Sequence, residues 1–349
     1  MLPESGKKFE QIDALRFFAV SAVLITHWGV FPLPSSIAFL IGSNGVNLFF
    51  TISGFLITLG LIKAHEKGQA PKTSLWKFYI RRGLRIFPIY YLMLAIIWFV
   101  HRQSIADGIW WYLTYTVNFY CIKIQDWGKA GVGHLWSLSI EEQFYSLWPF
   151  LILFTSSRLL PFLFGTIITL SIAFKIYVIN INAPWWVFYM NPLGAMDILC
   201  LGALLAYGYC NYPDQLESLL RKKILFALIL MQAVIVISFR FTEHYIFLYE
   251  ILSRLSFGLF SIWFIGRAVL GFDGIIGYIL NSVILRYIGK ISYGVYLYHV
   301  FAPELLSWIK YPLNNILKCA LYFILTIIFS AFSWHFFESQ LLKLKEKFN

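Results

Sequence analysis

Between Arg16 and Lys63 the chain carries no Asp, Glu, Lys or Arg, and the apolar run is interrupted near its middle by "PLPSS" and "GSNG". Each leg exceeds the roughly 20 residues that span a bilayer's hydrocarbon, so the pattern predicts a helical hairpin crossing a membrane twice. Further apolar runs predict spans at about 86–101, 135–156, 160–180, 191–210, 224–240, 246–266, 284–303 and 317–337, ten in all. "DGIWWYLTYTVNFY", Asp107 to Tyr120, is apolar and aromatic but short. It reads as an interfacial or re-entrant helix. The expected fold is an all-α polytopic membrane protein, a single transmembrane domain over residues 1–349 with no appended soluble domain.

Charge sets the expected sidedness. With ten spans and a cytoplasmic N-terminus, the inner face receives Lys7, Lys8, the cluster from Lys63 to Arg85, Arg158, Arg221 to Lys223, Arg267, Arg286, Lys343, Lys345 and Lys347. The outer loops keep Arg102, Lys123, Lys129, Arg240, Lys310 and Lys318, so both termini are expected in the cytoplasm. An eleventh crossing at 107–120 would reverse the second half of this pattern.

Composition agrees with a membrane protein: 59% of the 349 residues are hydrophobic and 13% charged. The net charge of +11 lies in short clusters between apolar runs rather than on one polar face, which argues against nucleic acid as a partner. Lys7 and Lys8 precede the first apolar run, but no small-residue cleavage site follows, so the first helix is expected to be retained. Cys121, Cys200, Cys210 and Cys319 show neither paired nor metal-like spacing, and no metal site is expected.

Ionisable residues inside apolar segments are the candidates for chemistry. Arg16 and His27 are eleven residues apart, which puts both on one face of the first helix at depths separated by ~16 Å. Arg16 could equally snorkel to the membrane boundary. Arg81, Arg82 and Arg85 could form forked hydrogen bonds to the phosphates of a cytosolic donor, or simply anchor the inner mouth of a helix. In "GHLWSLSIEEQFYSLWP", His134, Ser137 and Glu141 share a face, and Glu141 and Glu142 are costly at that depth unless paired. A carboxylate bonded to an imidazole would support a histidine base, while Ser137 or Ser139 could instead cap the helix start. "GKISYGVYLYHV" adds Lys290, Ser292, Tyr293 and His299, and Asp197 sits alone within a span. Glu250 and Arg254, four apart, are expected to pair, and Glu338 to answer nearby lysines. No G-x-S-x-G elbow, P-loop, dinucleotide fingerprint or H-E-x-x-H is present.

Taken in order, Arg16-x10-His27, "GVNLFFTISGFLI", "FYIRRGLRIFPIYY", "HLWSLSIEEQFYSLWP", "MDILCLGALLA" and "GKISYGVYLYH" resemble the acyltransferase family 3 membrane proteins, including bacterial O-acetyltransferases of surface polysaccharides. The likeness spans roughly residues 10–340. It implies transfer of an acyl group, usually acetyl from acetyl-CoA as co-substrate, to a hydroxyl of a sugar or other acceptor, with Arg16 and His27 essential. No permanently bound cofactor is implied. Two positions depart from the pattern: Ala195 stands where many relatives have arginine, and Gln340 where many have proline. Some relatives carry an extracytoplasmic hydrolase-like domain; none is expected here, so direct transfer or hand-over to a separate protein is expected.

The resulting expectation is a multi-pass enzyme of the bacterial inner membrane. Acyl-CoA would dock on Arg81, Arg82 or Arg85, and Arg16 would steady the donor. His27, held by Glu141 or Glu142, would activate the acceptor hydroxyl or carry the acyl group itself. Ser53, His134, Trp136, Ser137, Tyr145, Asp197, Ser292, Tyr293 and His299 are the supporting or acceptor-side candidates. The acceptor would be a cell-surface polysaccharide such as lipopolysaccharide O-antigen or exopolysaccharide, or a lipid-linked saccharide. The rival readings are acylation of a small hydroxylated metabolite such as a macrolide, and a non-enzymatic transporter of a lipid-linked saccharide.

Overall fold

The computed structural model describes residues 9–127, 129–241, 246–307 and 313–344, which form helices and turns without a strand. Helix α1 (Glu10–Trp28) ends at Gly29 in the left-handed conformation, φ 58°, and Pro32 and Pro34 keep the chain from re-forming a helix before α2 (Ser35–Glu66). The hairpin therefore turns at 29–34 alone. "GSNG", expected as part of the break, lies inside α2, where Gly42 and Gly45 let α1 approach: added Cβ atoms there would sit 2.5 Å from Thr26 Oγ1 and Ala19 O.

Helix α3 (Pro71–Ile105) is far longer than the predicted 86–101, because its basic first turns continue the helix from a proline start. The aromatic segment after it folds as α4 (Ile109–Leu113) and α5 (Val117–Ile124), split at Tyr115, φ 53°; neither is long enough to cross a bilayer. The chain continues through α6 (Leu135–Phe154), α7 (Leu160–Asn180), α8 (Trp186–Tyr189), α9 (Pro192–Asn211), α10 (Pro213–Arg221), α11 (Lys223–Ser238) and α12 (Ile246–Leu270). The span predicted at 284–303 is broken into α14 (Val283–Lys290), α15 (Ser292–Tyr298) and α16 (Phe301–Ser307), preceded by α13 (Gly274–Leu280). Helix α17 (Asn315–Ser333) passes through a wider π turn at Trp334–Glu338 into α18 (Ser339–Leu344).

Among the described residues, seven helical stretches are long and apolar enough to span a membrane: those built on α2, α3, α7, α9, α11, α12 and α17. The chain is a multi-pass membrane protein. The other three predicted segments are α1 and α6, which carry charge, and the broken stretch of α14 to α16. Of the lysines used to assign sidedness, Lys7, Lys8, Lys310, Lys345 and Lys347 lie outside the described residues.

Helix α2 is the hub, packed on α1, α6, α9 and α12. Its crossing with α9 is backbone on backbone: a Cβ on Gly54 would lie 2.0 Å from Leu199 O, and one on Gly202 2.2 Å from Thr51 O. Small residues at such crossings replace the missing hydrophobic drive with close van der Waals contact.

Asp197 of α9 finds its partner on α7, where Lys175 Nζ lies 2.5 Å from Oδ2 and the two side chains are 1% and 0% exposed. Asp197 thus ties α7 to α9. Arg254 of α12 does not pair with Glu250; it is buried and donates to Gly194 O at 2.8 Å and Tyr189 O at 3.2 Å. Helix α9 is consequently braced from two sides.

Removing one member of a buried pair strands the other charge. Lys175→Met is expected to destabilise the detergent-solubilised protein by ~3–5 kcal/mol, and Lys175→Met with Asp197→Leu to recover most of that loss in thermal unfolding.

Candidate functional site

Helix α1 is pinned at both ends. Near its start, Gln11 Nε2 donates to Phe272 O at 3.2 Å while its Oε1 accepts from Phe272 N at 2.8 Å, and Glu10 is ion-paired with Arg286. At its far end, Trp28 Nε1 donates to His299 O at 3.0 Å. That carbonyl is free for a local reason. In a continuous helix it would accept the N–H of residue 303, but Pro303 has none.

The same break exposes Tyr296 O, which His299 Nδ1 approaches to 2.6 Å. A carbonyl only accepts, so the proton of His299 sits on Nδ1 and its Nε2 carries a lone pair. His27 Nδ1 lies 2.8 Å from that Nε2 and must donate to it. His299 is fully buried, and the described groups around it are imidazoles, a carbonyl and a phenol, which favours one proton on each ring. The relay leaves Nε2 of His27 as an unprotonated lone pair. The His27 ring is exposed, and it opens into a cavity of about 460 Å³ walled by Phe39, Trp127, Trp136, Tyr189 and His134.

A second, narrower cavity of about 80 Å³ lies at the depth of Arg16. Arg16, Arg82 and Arg85 face Glu141 and Glu142 across it. Arg16 Nη1 is held by Asp13 Oδ1 at 3.2 Å, and the Arg82 guanidinium lies 4.3 Å above the Tyr145 ring. Glu141 Oε1 accepts from Ser53 Oγ at 2.6 Å, and Ser53 Oγ accepts from Tyr145 at 3.1 Å. The carboxylate is therefore held by hydroxyls from α2 and its own helix. Val46 and Tyr296 line both cavities and form the partition between them.

The expected carboxylate on His27 is thus corrected. Glu141 and Glu142 belong to the arginine cavity, and the imidazole partner is His299, because α6 carries its glutamates about two turns past His134, toward Arg16. Of the three clustered arginines, Arg82 and Arg85 line the cavity and Arg81 does not. Ser53, Ser137, Tyr145, Ser292 and Tyr293, grouped as supporting or acceptor-side candidates, line the arginine cavity; His134, Trp136 and His299 line the histidine cavity. Asp197 lines neither, being consumed by Lys175. Glu338 is buried and accepts from Ser333 at 3.2 Å rather than answering lysines.

Tyr296 was missed as a site residue. Its hydroxyl donates to His134 O at 2.8 Å and lies 2.6 Å from Ser137 Oγ, joining α15 to the start of α6. The i, i+3, i+6 spacing of Tyr293, Tyr296 and His299 was the available signal. Ala195, the departure from the family pattern, is fully buried, and Arg254 brings a guanidinium from α12 to the neighbouring Gly194 carbonyl.

The helical membrane bundle thus places an imidazole relay and an arginine-lined cavity at two depths of one helix. The chain belongs to acyltransferase family 3, whose domain matches residues 9–335. It is similar to the peptidoglycan O-acetyltransferase OatA of Listeria monocytogenes, 28% identical over 384 residues covering 97% of this chain and 56% of that protein. It is also similar to the O-acetyltransferase OatA of Staphylococcus aureus, 28% identical over 366 residues covering 95% and 57%. The chain spans little more than half the length of these relatives. No solved structure matches.

The relay predicts that His27 and His299 are both Nδ1–H tautomers. Solid-state ¹⁵N NMR of histidine-labelled protein in proteoliposomes should show two protonated Nδ1 and two unprotonated Nε2 signals, of which one pair is lost on His27→Ala, while His299→Ala removes the other pair and releases the His27 tautomer; an Nε2–H signal for His299 contradicts the assignment.

Proposed function

We propose that the protein is an O-acyltransferase of the bacterial inner membrane that moves acetyl from acetyl-CoA to a sugar hydroxyl of a cell-envelope polysaccharide. The observation that carries this reading is the unprotonated Nε2 of His27, oriented through His299 and Tyr296 O and open to an aromatic-walled cavity. A general base needs a lone pair on the acceptor's side and a fixed ring, and both are present. The printed name of the Listeria relative supports an envelope glycan as the acceptor class, with the lipopolysaccharide and exopolysaccharide of the earlier expectation as members of it.

In this mechanism the phosphates of acetyl-CoA sit on Arg82 and Arg85, with Arg16 completing the positive wall. The thioester arm reaches past Tyr296 into the histidine cavity. The acceptor O–H proton passes to His27 Nε2 as its oxygen attacks the thioester carbonyl. The carbon–sulfur bond then breaks, and the imidazolium returns the proton to the departing thiolate. Arg16 lies ~16 Å along the helix from His27, so its work is on the donor and not on the reacting carbonyl. His299 is a positioning residue.

Purified protein given labelled acetyl-CoA and de-O-acetylated envelope polysaccharide should yield labelled glycan. His27→Ala abolishes transfer. His299→Ala lowers kcat by ~10²- to 10⁴-fold, because the base loses the acceptor that sets its tautomer. Full transfer by His27→Ala overturns the reading, as does translocation of a lipid-linked saccharide without acyl transfer.

The two-cavity arrangement also separates donor from acceptor effects. Arg82→Ala should raise the KM for acetyl-CoA by at least ~10-fold while changing the acceptor KM little. Glu141→Gln should preserve the NMR tautomer signals of His27, which a direct Glu141–His27 contact would not allow.

A further inference from the structure

Behind the histidine cavity, on the side of α11 and α12, lies a third cavity of about 330 Å³. It shares Phe39, Ser43 and Tyr189 with the histidine cavity, so these three residues form the wall between the two. Phe39, Ser43 and Asn47 stand at i, i+4 and i+8 on α2, a single helix face running from one cavity into the other. Helix α2 thus supplies a common wall for both.

The lining suits an uncharged, hydroxyl-rich ring. Phe39, Trp185 and Tyr189 meet one another with ring centroids 5.3 Å apart, which offers flat apolar faces of the kind that cover the C–H face of a sugar. The buried cations in its wall are already committed, Lys175 to Asp197 and Arg254 to two backbone carbonyls, and Arg240 lies over the Tyr249 ring at 5.2 Å with the Glu250 carboxylate in the same lining. Asn47 is 4% exposed, lines the cavity, and its Oδ1 has no hydrogen-bond partner. A buried carbonyl oxygen left unpaired costs free energy that a ligand hydroxyl would recover. Ser253 and Ser256 from α12 and the carboxylate of Glu250 add further polar groups on the opposite wall.

We propose that this cavity is a second saccharide subsite, which holds the sugar next to the one acetylated and so makes the protein select a glycan chain over a single sugar. The proposal rests on the acyltransferase reading and names the substrate form that reading takes. The acceptor sugar lies against His27 in the first cavity. Its neighbour passes the Phe39–Tyr189 edge and donates a hydroxyl to Asn47 Oδ1.

The test uses the full-length protein in detergent with labelled acetyl-CoA. The acceptors are de-O-acetylated envelope polysaccharide of the source cells, hydrolysed and size-fractionated into mono-, di- and oligosaccharides. The wild type should show a KM at least ~10-fold lower for the di- and oligosaccharide fractions than for the monosaccharides, about the worth of one well-made buried hydrogen bond plus stacking. Asn47→Ala removes the unpaired oxygen, and Ser253→Phe fills the cavity from the other wall. Each should erase that preference by raising the oligosaccharide KM, in protein whose melting temperature matches the wild type. Transfer that ignores chain length in the wild type, or a preference that survives both substitutions, overturns the subsite alone. Absence of transfer to every fraction overturns the acyltransferase reading and the subsite with it.

Discussion

An imidazole bonded to a second imidazole has a defined proton only if the second ring is itself held, and the carbonyl of Tyr296 does that for His299. The carbonyl is available because the helix stops there, and Pro303 leaves a second carbonyl, His299 O, to the Trp28 indole. One interruption of the backbone hydrogen-bond ladder therefore supplies two fixed points, one for the ring of His299 and one for the end of α1 that carries His27. In an apolar interior an unpaired carbonyl is costly, so both side chains are drawn to this place by the same requirement.

The rest of the bundle serves that alignment. Gln11 and Glu10 fasten the other end of α1, and Gly42 and Gly45 let α2 lie close along it. The Gly54–Gly202 crossing and the Lys175–Asp197 pair fix α9 against α2 and α7, and α9 follows directly on the aromatic wall of Trp185 and Tyr189. Charge and neutral polarity are segregated along the site. Three guanidinium groups and two carboxylates surround the narrow cavity, while the wider one beyond Tyr296 presents imidazoles and aromatic rings. In the proposed reaction that division would keep the charged end of a donor away from the lone pair that takes a proton.

The errors of the sequence reading have a common origin. Glu141 was assigned to His27 because both are ionisable and embedded, but the depth of a residue on one helix relative to another depends on how the helices are offset, and no spacing within a helix reports that offset. "GSNG" was read as a breaker by composition, whereas its glycines are contact points within a helix. Asp197 and Lys175 lie on different helices, and Glu250 and Arg254 sit four apart without pairing, since a carbonyl pair on a neighbouring element holds the guanidinium better.

By itself the sequence determined that the chain is a multi-pass helical membrane protein, that Arg16 and His27 share a face of one helix at two depths, and that the arginine, glutamate and late histidine motifs are the candidates for its chemistry. These follow from local periodicity and from the cost of charge in lipid, both properties of a single helix. The tertiary structure alone decided that His299 is the partner of His27, that the glutamates face the arginines, that Tyr296 stands between two cavities, and that a third cavity opens beyond Tyr189. Each of these is a contact between helices far apart in the chain, set by where small residues allow backbones to meet and where a broken helix leaves a carbonyl to be satisfied.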